Sequence, residues 1–524
     1  MKKLSIFLLV LISYLSQAQN FNGFALYNSQ GSNTTYLIDE NQNIAHSWVL
    51  TTECNYTVQL KKNGNLVRGT KNNGNILGGA ADAGRVQEIA PDGTIVWDYV
   101  YSSADHLSHH DLTLIGDNVL LTAWEVKTAS EVNAAGYNNA NSDKWPTHFI
   151  ELEPDGQGGA NIVWEWHIWD HLCQDTDPNK PGYVSNISDH PELIDINMIQ
   201  AGGGPGGGGP GGSGGDWFHV NGVDYNEDLD QIAFSSRFAS EIYVIDHSTT
   251  TTEASSSSGG NSGMGGDILY RWGNPSNYGM TGTQVIPDAV HDVRWITNDG
   301  RPNSGYLQIF NNKGISSGQS TIDGIETPLD STGYNYLRNP GQPFLPSSYS
   351  TRYICQFSAN GQSASDRMSN GNIYVNASGG QGGAGVMYEV DSIGNLIWGP
   401  FTANSQKGFR YECDYPGIIA LEPYMINTSS TSCFNQTNSY NINSADLIKL
   451  YPNPTNGLFT IDFPLLSSFK EINILDLLGN KILSTQVDSR LINIDFNSYY
   501  PGVYFVNLID YNGNITTKRL SFIK

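Results

Sequence analysis

The sequence predicts an all-β fold: a six-bladed β-propeller followed by a small C-terminal β-sandwich. Two recurring patterns and one compositional bias predict it. The first pattern is an apolar strand, a turn with Asp or Gly, and a second strand ending in Trp. It occurs as TYLIDENQNIAHSW, VQEIAPDGTIVW, FIELEPDGQGGANIVWEW, IYVIDHSTT leading on to ILYRW, and MYEVDSIGNLIW, with Trp48, Trp97, Trp166, Trp272 and Trp398 as closing residues. The second pattern is a hairpin headed by histidine: His110 in HHDLTLIGDNVLLTAWE, His219 in DWFHVNGVDYNEDLDQIAFSSR and His291 in HDVRWITNDGRPNSGYLQIF. The bias is 57 Gly and 28 Tyr with only 15% charged residues, which suits tightly turned sheet better than helix bundles.

The two patterns alternate. A histidine hairpin follows Trp97, Trp166 and Trp272, and a similar hairpin without histidine, YTVQLKKNGNLVRG, follows Trp48. Two hairpins make four strands, the blade of a propeller. RYICQF and NGNIYVNAS supply the rest, giving six blades in preference to five, with a pair of β-sandwiches as the alternative. A chain of 524 residues is long enough for such a core. Two low-complexity tracts, Ala201–Gly215 and Ser248–Gly266, are expected to be flexible loops. Neither carries a GK[ST] phosphate-binding signature.

The N-terminus, MKKLSIFLLVLISYLSQAQ, has two lysines, a short apolar run and small residues before Gln19. This reads as a signal peptide over residues 1–18. Its apolar run is too short to span a bilayer, and no other run has that length, so no transmembrane segment is expected. A net charge of −24 argues against nucleic acid and against anionic membrane surfaces. An anionic substrate needs a local cluster of Arg or His working against that field. Five cysteines (Cys54, Cys173, Cys355, Cys413, Cys433) in an exported chain permit disulfides, leave at least one thiol unpaired and show no CxxC spacing; their pairing is left open.

In a circular repeat the three histidines converge on one funnel. Imidazole there serves as acid, base, nucleophile or metal ligand. All 11 histidines lie at or before residue 291. Arg237, Arg352 and Arg410 are the candidate substrate-binding residues, because guanidinium presents a fork of donors to sulfate, phosphate or carboxylate. Asp111 and Asp292 directly follow His110 and His291; strand alternation turns them to the opposite face, where they support the blade. By the same alternation Arg294 faces away from His291. His167 and His171 in WEWHIWDHLCQD read as part of an aromatic-rich loop or blade edge. No metal ligand set is assigned and no cofactor is expected.

From Leu450 onward, three hairpin-like units with NG or GN turns form the sandwich. Tyr451-Pro452-Asn453-Pro454, Gly457, LLGNKIL, Pro501-Gly502-Val503-Tyr504 and the terminal Lys518–Lys524 closely resemble the type A C-terminal sorting domain of the Bacteroidetes type IX secretion system. The resemblance implies handling by the type IX secretion machinery, passage through the periplasm and outer membrane, removal of the domain, and release or surface attachment. The expected organisation is a signal peptide at 1–18, a propeller at 19–430, a linker at 431–447 and the sorting domain at 448–524.

DWFHVNGVDYNEDLDQIAFSSR, EIYVIDHSTT, GGDILYRWGNP, HDVRWI and FRYECDYPGI together resemble the arylsulfotransferase (aryl-sulfate sulfotransferase) family over most of residues 22–425. The resemblance implies a six-bladed propeller that moves sulfate from an aromatic sulfate ester to a phenolic acceptor through a sulfated histidine, with no nucleotide donor. Carried over by motif, His219 matches the family's DWxH histidine, His291 the histidine that follows it, and His110 the early H-H-D segment. The chain departs from the family in one respect. The family's sulfated histidine lies in a late blade, whereas no histidine follows His291, and FNNKGISSGQS carries only Lys313 where an arginine is implied. Either His291 or His219 then serves as nucleophile, with Arg352 and Arg410 as substitutes for charge stabilisation, or sulfate transfer has been lost. The alternatives are a metal-binding propeller using the three histidines and a non-catalytic binding protein for glycans or phenolic ligands.

Overall fold

In a computed structural model of the protein, described over residues 23–199, 215–380, 383–426, 428, 431–435, 448–462, 469–487, 491–510 and 515–523, the chain divides into two units, 1–435 and 436–524. The expected signal peptide, nearly all of the first glycine tract and most of the expected linker lie outside the described residues. Among the described residues, the first unit contains six four-stranded antiparallel sheets. Sheet 1 takes β1 (Gly23–Ser29), β2 (Thr34–Ile38) and β3 (Ile44–Val49). Sheet 2 holds β4 (Cys54–Leu60), β5 (Leu66–Lys71), β6 (Gly84–Ile89) and β7 (Ile95–Val100). Sheet 3 holds β8 (His106–Ile115), β9 (Asn118–Glu125), β10 (Thr147–Pro154) and β11 (Ala160–His167). A short parallel pair, β12 (Leu172–Cys173) and β13 (Ile194–Asp195), precedes sheet 4, which holds β14 (Val220–Asn226), β15 (Gln231–Ser236), β16 (Glu241–Asp246) and β17 (Tyr270–Gly273). Sheet 5 holds β18 (Val290–Trp295), β19 (Leu307–Asn311), β20 (Thr321–Ile325) and β21 (Thr351–Ile354). Sheet 6 holds β22 (Ala364–Arg367), β23 (Ile373–Ala377), β24 (Gly385–Val390) and β25 (Leu396–Ala403).

The next strand, β26 (Ser405–Glu412), returns to sheet 1 and pairs with β1, placing Arg410 opposite Ala25. The leading strands β26, β4, β8, β14, β18 and β22 contact one another in that order, and β22 meets β26. The arrangement is all-β and propeller-like. Each Trp-ending copy is the third and fourth strand of a sheet, and each histidine hairpin is the first and second. The outer strands alternate: in β3, Ala45 and Trp48 are buried while Ile44 and Val49 are exposed. The leading strands are buried on both faces, as in β14 and β18.

The closing tryptophans are fastened to the neighbouring sheet. Trp48 Nε1 donates to Ala90 O, Trp97 to Gly159 O, Trp166 to Gly266 O, Trp272 to Pro346 O and Trp398 to Glu40 O, at 2.7–3.1 Å. Every acceptor lies between the third and fourth strands of the next sheet. Sheet 5 has no such Trp; Gln356 Nε2, just past β21, donates to Gly394 O instead at 3.1 Å. The turns themselves are built by Asp. Asp39, Asp155 and Asp391 each accept two backbone N–H bonds through Oδ1, which is the physical reason for the Asp in the repeat.

The Ser248–Gly266 tract is folded, contrary to expectation. Thr250 and Glu253 form a capping box on the helical turn Thr251–Ala254, Ser262 N donates to Asp246, and Ala254 is fully buried. Small residues serve close approach here, since a Cβ on Gly266 would overlap Ala254 O. WEWHIWDHLCQD forms the end of β11 and a 3₁₀ turn at Ile168–His171, with His171 buried between Asp267 and Ala254 O. Cys413 and Cys433 form a disulfide, and Cys54, Cys173 and Cys355 are buried thiols. Residues 431–435 belong to the first unit, where Ser432 also bonds Glu40.

In the second unit, β27 (Lys449–Tyr451), β28 (Leu458–Asp462), β29 (Phe469–Leu475), β30 (Lys481–Gln486), β31 (Leu491–Asp495), β32 (Gly502–Asp510) and β33 (Ile515–Phe522) form two sheets, ordered β27-β28-β31 and β30-β29-β32-β33. Phe459, Ile461, Ile472, Ile474, Phe496 and Leu508 from both sheets share one core.

Trp166→Phe keeps an aromatic ring in place but strands the Gly266 carbonyl. It is expected to cost about 1–3 kcal/mol, read as a lowered denaturation midpoint of the first unit.

Candidate functional site at the histidine end of the leading strands

The leading hairpins share a defect that aims their side chains. Register breaks between Ser108 and Leu112 in β8, Val220 and Gly222 in β14, and His291 and Arg294 in β18. His110, His219 and Asp292 have left-handed backbones, with φ of 50°, 52° and 51°. Each such residue costs about 1–3 kcal/mol, and bulges of this kind redirect side chains. His110 and Asp111 are both buried, as are His291 and Asp292, and each aspartate bonds the next leading strand rather than the ring beside it.

His109, His110 and His219 meet. The rings of His110 and His219 lie edge to face with centroids 4.6 Å apart. His109 Nδ1 is 2.8 Å from His110 Nδ1, and Trp124 stacks on His109 at 4.0 Å. His291 is close enough to influence the protonation of His110, and His219 that of His291. His219 Nδ1 donates to Asp216 Oδ2 at 2.5 Å, while Asp216 Oδ1 accepts from His219 N and Trp124 Nε1. Burial works to raise the Asp216 carboxyl, but the charges of His219 and His109 hold it below the usual range.

His291 is held by acceptors only. Its Nδ1 faces Ala289 O at 2.8 Å and Asn312 Oδ1 at 2.7 Å, so Nδ1 carries the proton. Asn312 is fixed in turn, its Nδ2 donating to Ala359 O and Gln362 O. Nε2 therefore keeps its lone pair, and among the described residues it has no hydrogen-bond partner. Burial first, then the Arg237 charge, pushes the ring well below the usual imidazole range, so it is neutral. Arg237 lies beside it across the Gly361 backbone: a Cβ on Gly361 would stand 2.8 Å from Arg237 Nη1 and 3.8 Å from His291 Cε1.

Beneath the histidines, Lys407 of β26 is completely buried and bonds Asp111 Oδ2 at 2.7 Å and Asp292 Oδ1 at 3.1 Å. Neighbouring strands are clasped by carboxylates. Asp111 accepts from Val223 N, Asp224 from Trp295 N, Asp292 from Ser365 N and Asp366 from Arg410 N. Tyr411 Oη accepts from Leu60 N, and Gln59 donates to Leu112 O, completing the circuit.

Of the expected site residues, His110, His219, His291 and Arg237 come together. Arg352 and Arg410 do not join them. Arg352 sits on the outer strand β21 in a bidentate pair with Asp323 and over Tyr349. Arg410 lies at the C-terminal end of β26, bonded to Glu389 and Tyr411 O. Lys313 faces Asp288 at 3.8 Å. Asp216, Asn312, Trp124 and Lys407 were missed. Only Asp216 had a sequence signal, its place three residues before His219. Among the described residues no three His, Cys, Asp or Glu groups converge in a way that would hold a metal ion.

The profile of the arylsulfotransferase (ASST) family matches residues 14–337, more than half of the chain. The chain belongs to the arylsulfotransferase family. Its match includes His110, His219, His291 and Arg237, whereas Lys407, Arg352 and Arg410 lie beyond it. A secretion system C-terminal sorting domain matches residues 449–522. This arylsulfotransferase-like chain is thus a secreted protein, its type IX sorting tail implying passage through the outer membrane to the cell surface or beyond. No helix among the described residues is long and apolar enough to cross a membrane. No curated protein is matched. Similar solved structures include a protein of unknown function from Bacteroides caccae, with 12% identity, 74% of this chain and 98% of that one covered, and a TM-score of 0.40. A Lactobacillus plantarum protein shares 9% identity over 96% of this chain and 97% of its own, with a TM-score of 0.35. A putative 6-phosphogluconolactonase from Bacteroides uniformis shares 9% over 91% and 98%, with a TM-score of 0.34. At such scores these likenesses carry no argument.

Lys407→Met would leave two buried carboxylates uncompensated, with an expected loss of about 3–5 kcal/mol, read by denaturant unfolding. The buried histidines set a pH dependence. His109 is pushed by burial down to about 3, and His110, His148 and His291 well below 6.5. They protonate in the unfolded chain first, so their stabilisation is complete above pH 6.5 and is lost as pH falls toward the folded values. The expected slope below about pH 6 is roughly 1.4 kcal/mol per pH unit for each ring, measured by unfolding across pH 4.5–7.

Proposed function

We propose that the protein is a secreted six-bladed β-propeller aryl-sulfate sulfotransferase in which His291 is the nucleophile and His219 the general acid–base. The observation that carries this reading is the state of His291: Nδ1–H engaged by two oxygens, Nε2 without a partner among the described residues, and Arg237 alongside. The circuit of leading strands and the indole bonds that step from sheet to sheet support the six-bladed ring.

The step follows from these groups. His291 Nε2 attacks sulfur, an N–S bond forms, and the S–O bond to the phenol breaks. The cation left on the ring is stabilised through Nδ1–H by Ala289 O and Asn312 Oδ1. Arg237 stabilises the sulfonate oxygens in a site with little water. The departing phenolate takes its proton from His219, whose ring the Asp216 carboxylate orients through Nδ1. The acceptor phenol then gives its proton to His219, attacks sulfur and releases His291.

A second reading, a non-catalytic binder of sulfated aromatics, is favoured by the absence of any histidine after residue 291. Incubation with 4-nitrophenyl sulfate and a phenol acceptor separates the two. Nitrophenolate release is expected, abolished by His291→Ala and reduced about 10²–10⁴-fold by His219→Ala. Asp216→Asn is expected to reduce it less. Binding of the ester with no release by wild type at any acceptor concentration would sink the transferase reading.

A further inference from the structure

The Ser248–Gly266 tract has no part in the histidine site, yet it is fastened at both ends. It joins β16 to β17 of sheet 4 and lies against β11, the outer strand of sheet 3. Trp164 and Trp166 of β11 donate to Thr249 Oγ1 and Gly266 O. At the far end His171 holds Ala254 O and Asp267. The tract is a strap across the seam between two sheets.

The near end is fastened by charge. His247, just before the tract, turns Nδ1 to Asp230 Oδ1 at 2.7 Å and Nε2 to Glu151 Oε2 at 3.0 Å. Ionised carboxylates only accept, so both ring nitrogens carry protons and the ring is a cation. Glu151 belongs to β10 of sheet 3, and Asp230 to the turn between β14 and β15 of sheet 4. One imidazolium therefore bridges the seam. Trp164 packs on its ring at 4.7 Å, and Tyr225 of β14 meets its edge at 5.3 Å. Asn118 Nδ2 donates to Glu151 and Tyr225 Oη to Asp230, so both carboxylates are fixed. Burial works to lower the ring, but its bonds to Asp230 and Glu151 raise it to about 9. The bond to His247 holds Asp230 below the usual carboxylate range, and burial raises the Tyr225 phenol. Neither titrates near the ring's own midpoint.

We propose that His247 is a pH-sensitive clasp: its imidazolium locks the strap across sheets 3 and 4, and loss of one proton loosens it. A neutral ring keeps a single N–H, so one of the two carboxylates loses its donor. The proton is held more tightly in the closed strap than in an open one. The clasp is therefore complete below about pH 6.5 and is lost as pH rises through about 9. None of its residues belongs to the histidine site, so it works whether or not sulfate is transferred.

The test uses the whole chain and two readouts. Histidine Cε1–H resonances followed by NMR should show one ring titrating near pH 9, absent from His247→Gln. Cleavage after Glu253 by a glutamate-specific endoprotease, relative to a peptide of residues 248–266 at the same pH, reports the open strap. It is expected to rise about tenfold between pH 8 and pH 10, the share of closed strap lost across a midpoint of about 9. His247→Gln should be cut faster at pH 8 and show no such rise. If His247→Gln fails to fold, Glu151→Gln decides, and should lower the ring's midpoint by about one unit or more. No histidine titrating above pH 8, cleavage unchanged between pH 8 and pH 10, an equal rise in His247→Gln, or an unmoved midpoint in Glu151→Gln would each overturn the proposal.

Discussion

The pairing of β26 with β1 is the constraint on which the first unit depends. These strands come from opposite ends of the unit, and their ladder makes one sheet of them. It also delivers Lys407 among the leading strands, where a single ammonium bonds carboxylates from β8 and β18. Without β26, Asp111 and Asp292 would face each other uncompensated in a dry interior. The bulges that hold His110 and His291 carry those same aspartates, so closure of the unit and shaping of the histidine pocket are one event. The Cys413–Cys433 disulfide follows β26 directly and ties the tail of the unit back to it.

Polar residues at the centre are tolerable because each carboxylate has two tasks. Asp111 and Asp292 neutralise Lys407 and also accept a backbone N–H from the next leading strand. Asp224 and Asp366 accept such bonds nearer the other end, where Arg294 lies over Phe409 and beside Asp366. Burial raises Asp224 to about 6, and Asp366 also lies above the usual carboxylate range. Low dielectric strengthens every pair here and penalises every unpaired charge. Burial keeps His109, His110 and His291 neutral, which is the form with a lone pair to offer.

The ends of the leading strands therefore differ in chemistry although one backbone builds both. One end gathers imidazoles with Asp216 and Arg237; the other gathers guanidinium groups, carboxylates and Trp295 around a cavity. The outer rim is simpler. There, apolar alternation and an indole bond from five of the six sheets hold neighbours together.

That contrast explains what was legible. The outer strands could be read because they are half-buried: alternation, an Asp turn and a terminal Trp leave a repeating mark, and the C-terminal unit carries the same kind of mark. His110, His219 and His291 were legible as hairpin heads, and Arg237 as a nearby cation. The leading strands were harder, since strands buried on both faces have no period to detect, and the pairing of β26 with β1 joins residues almost 400 positions apart. Asp111 and Asp292 turn from the rings beside them and support the neighbouring strands, as alternation implied. Arg352 and Arg410 looked like anion binders, yet Asp323 and Glu389, invisible as partners in sequence, claim them. The sequence by itself determined the class of fold, the repeat and the identity of the histidines. Only the tertiary structure decided which nitrogen of His291 holds a proton and which charges Lys407 unites, because those depend on acceptors brought in from distant strands.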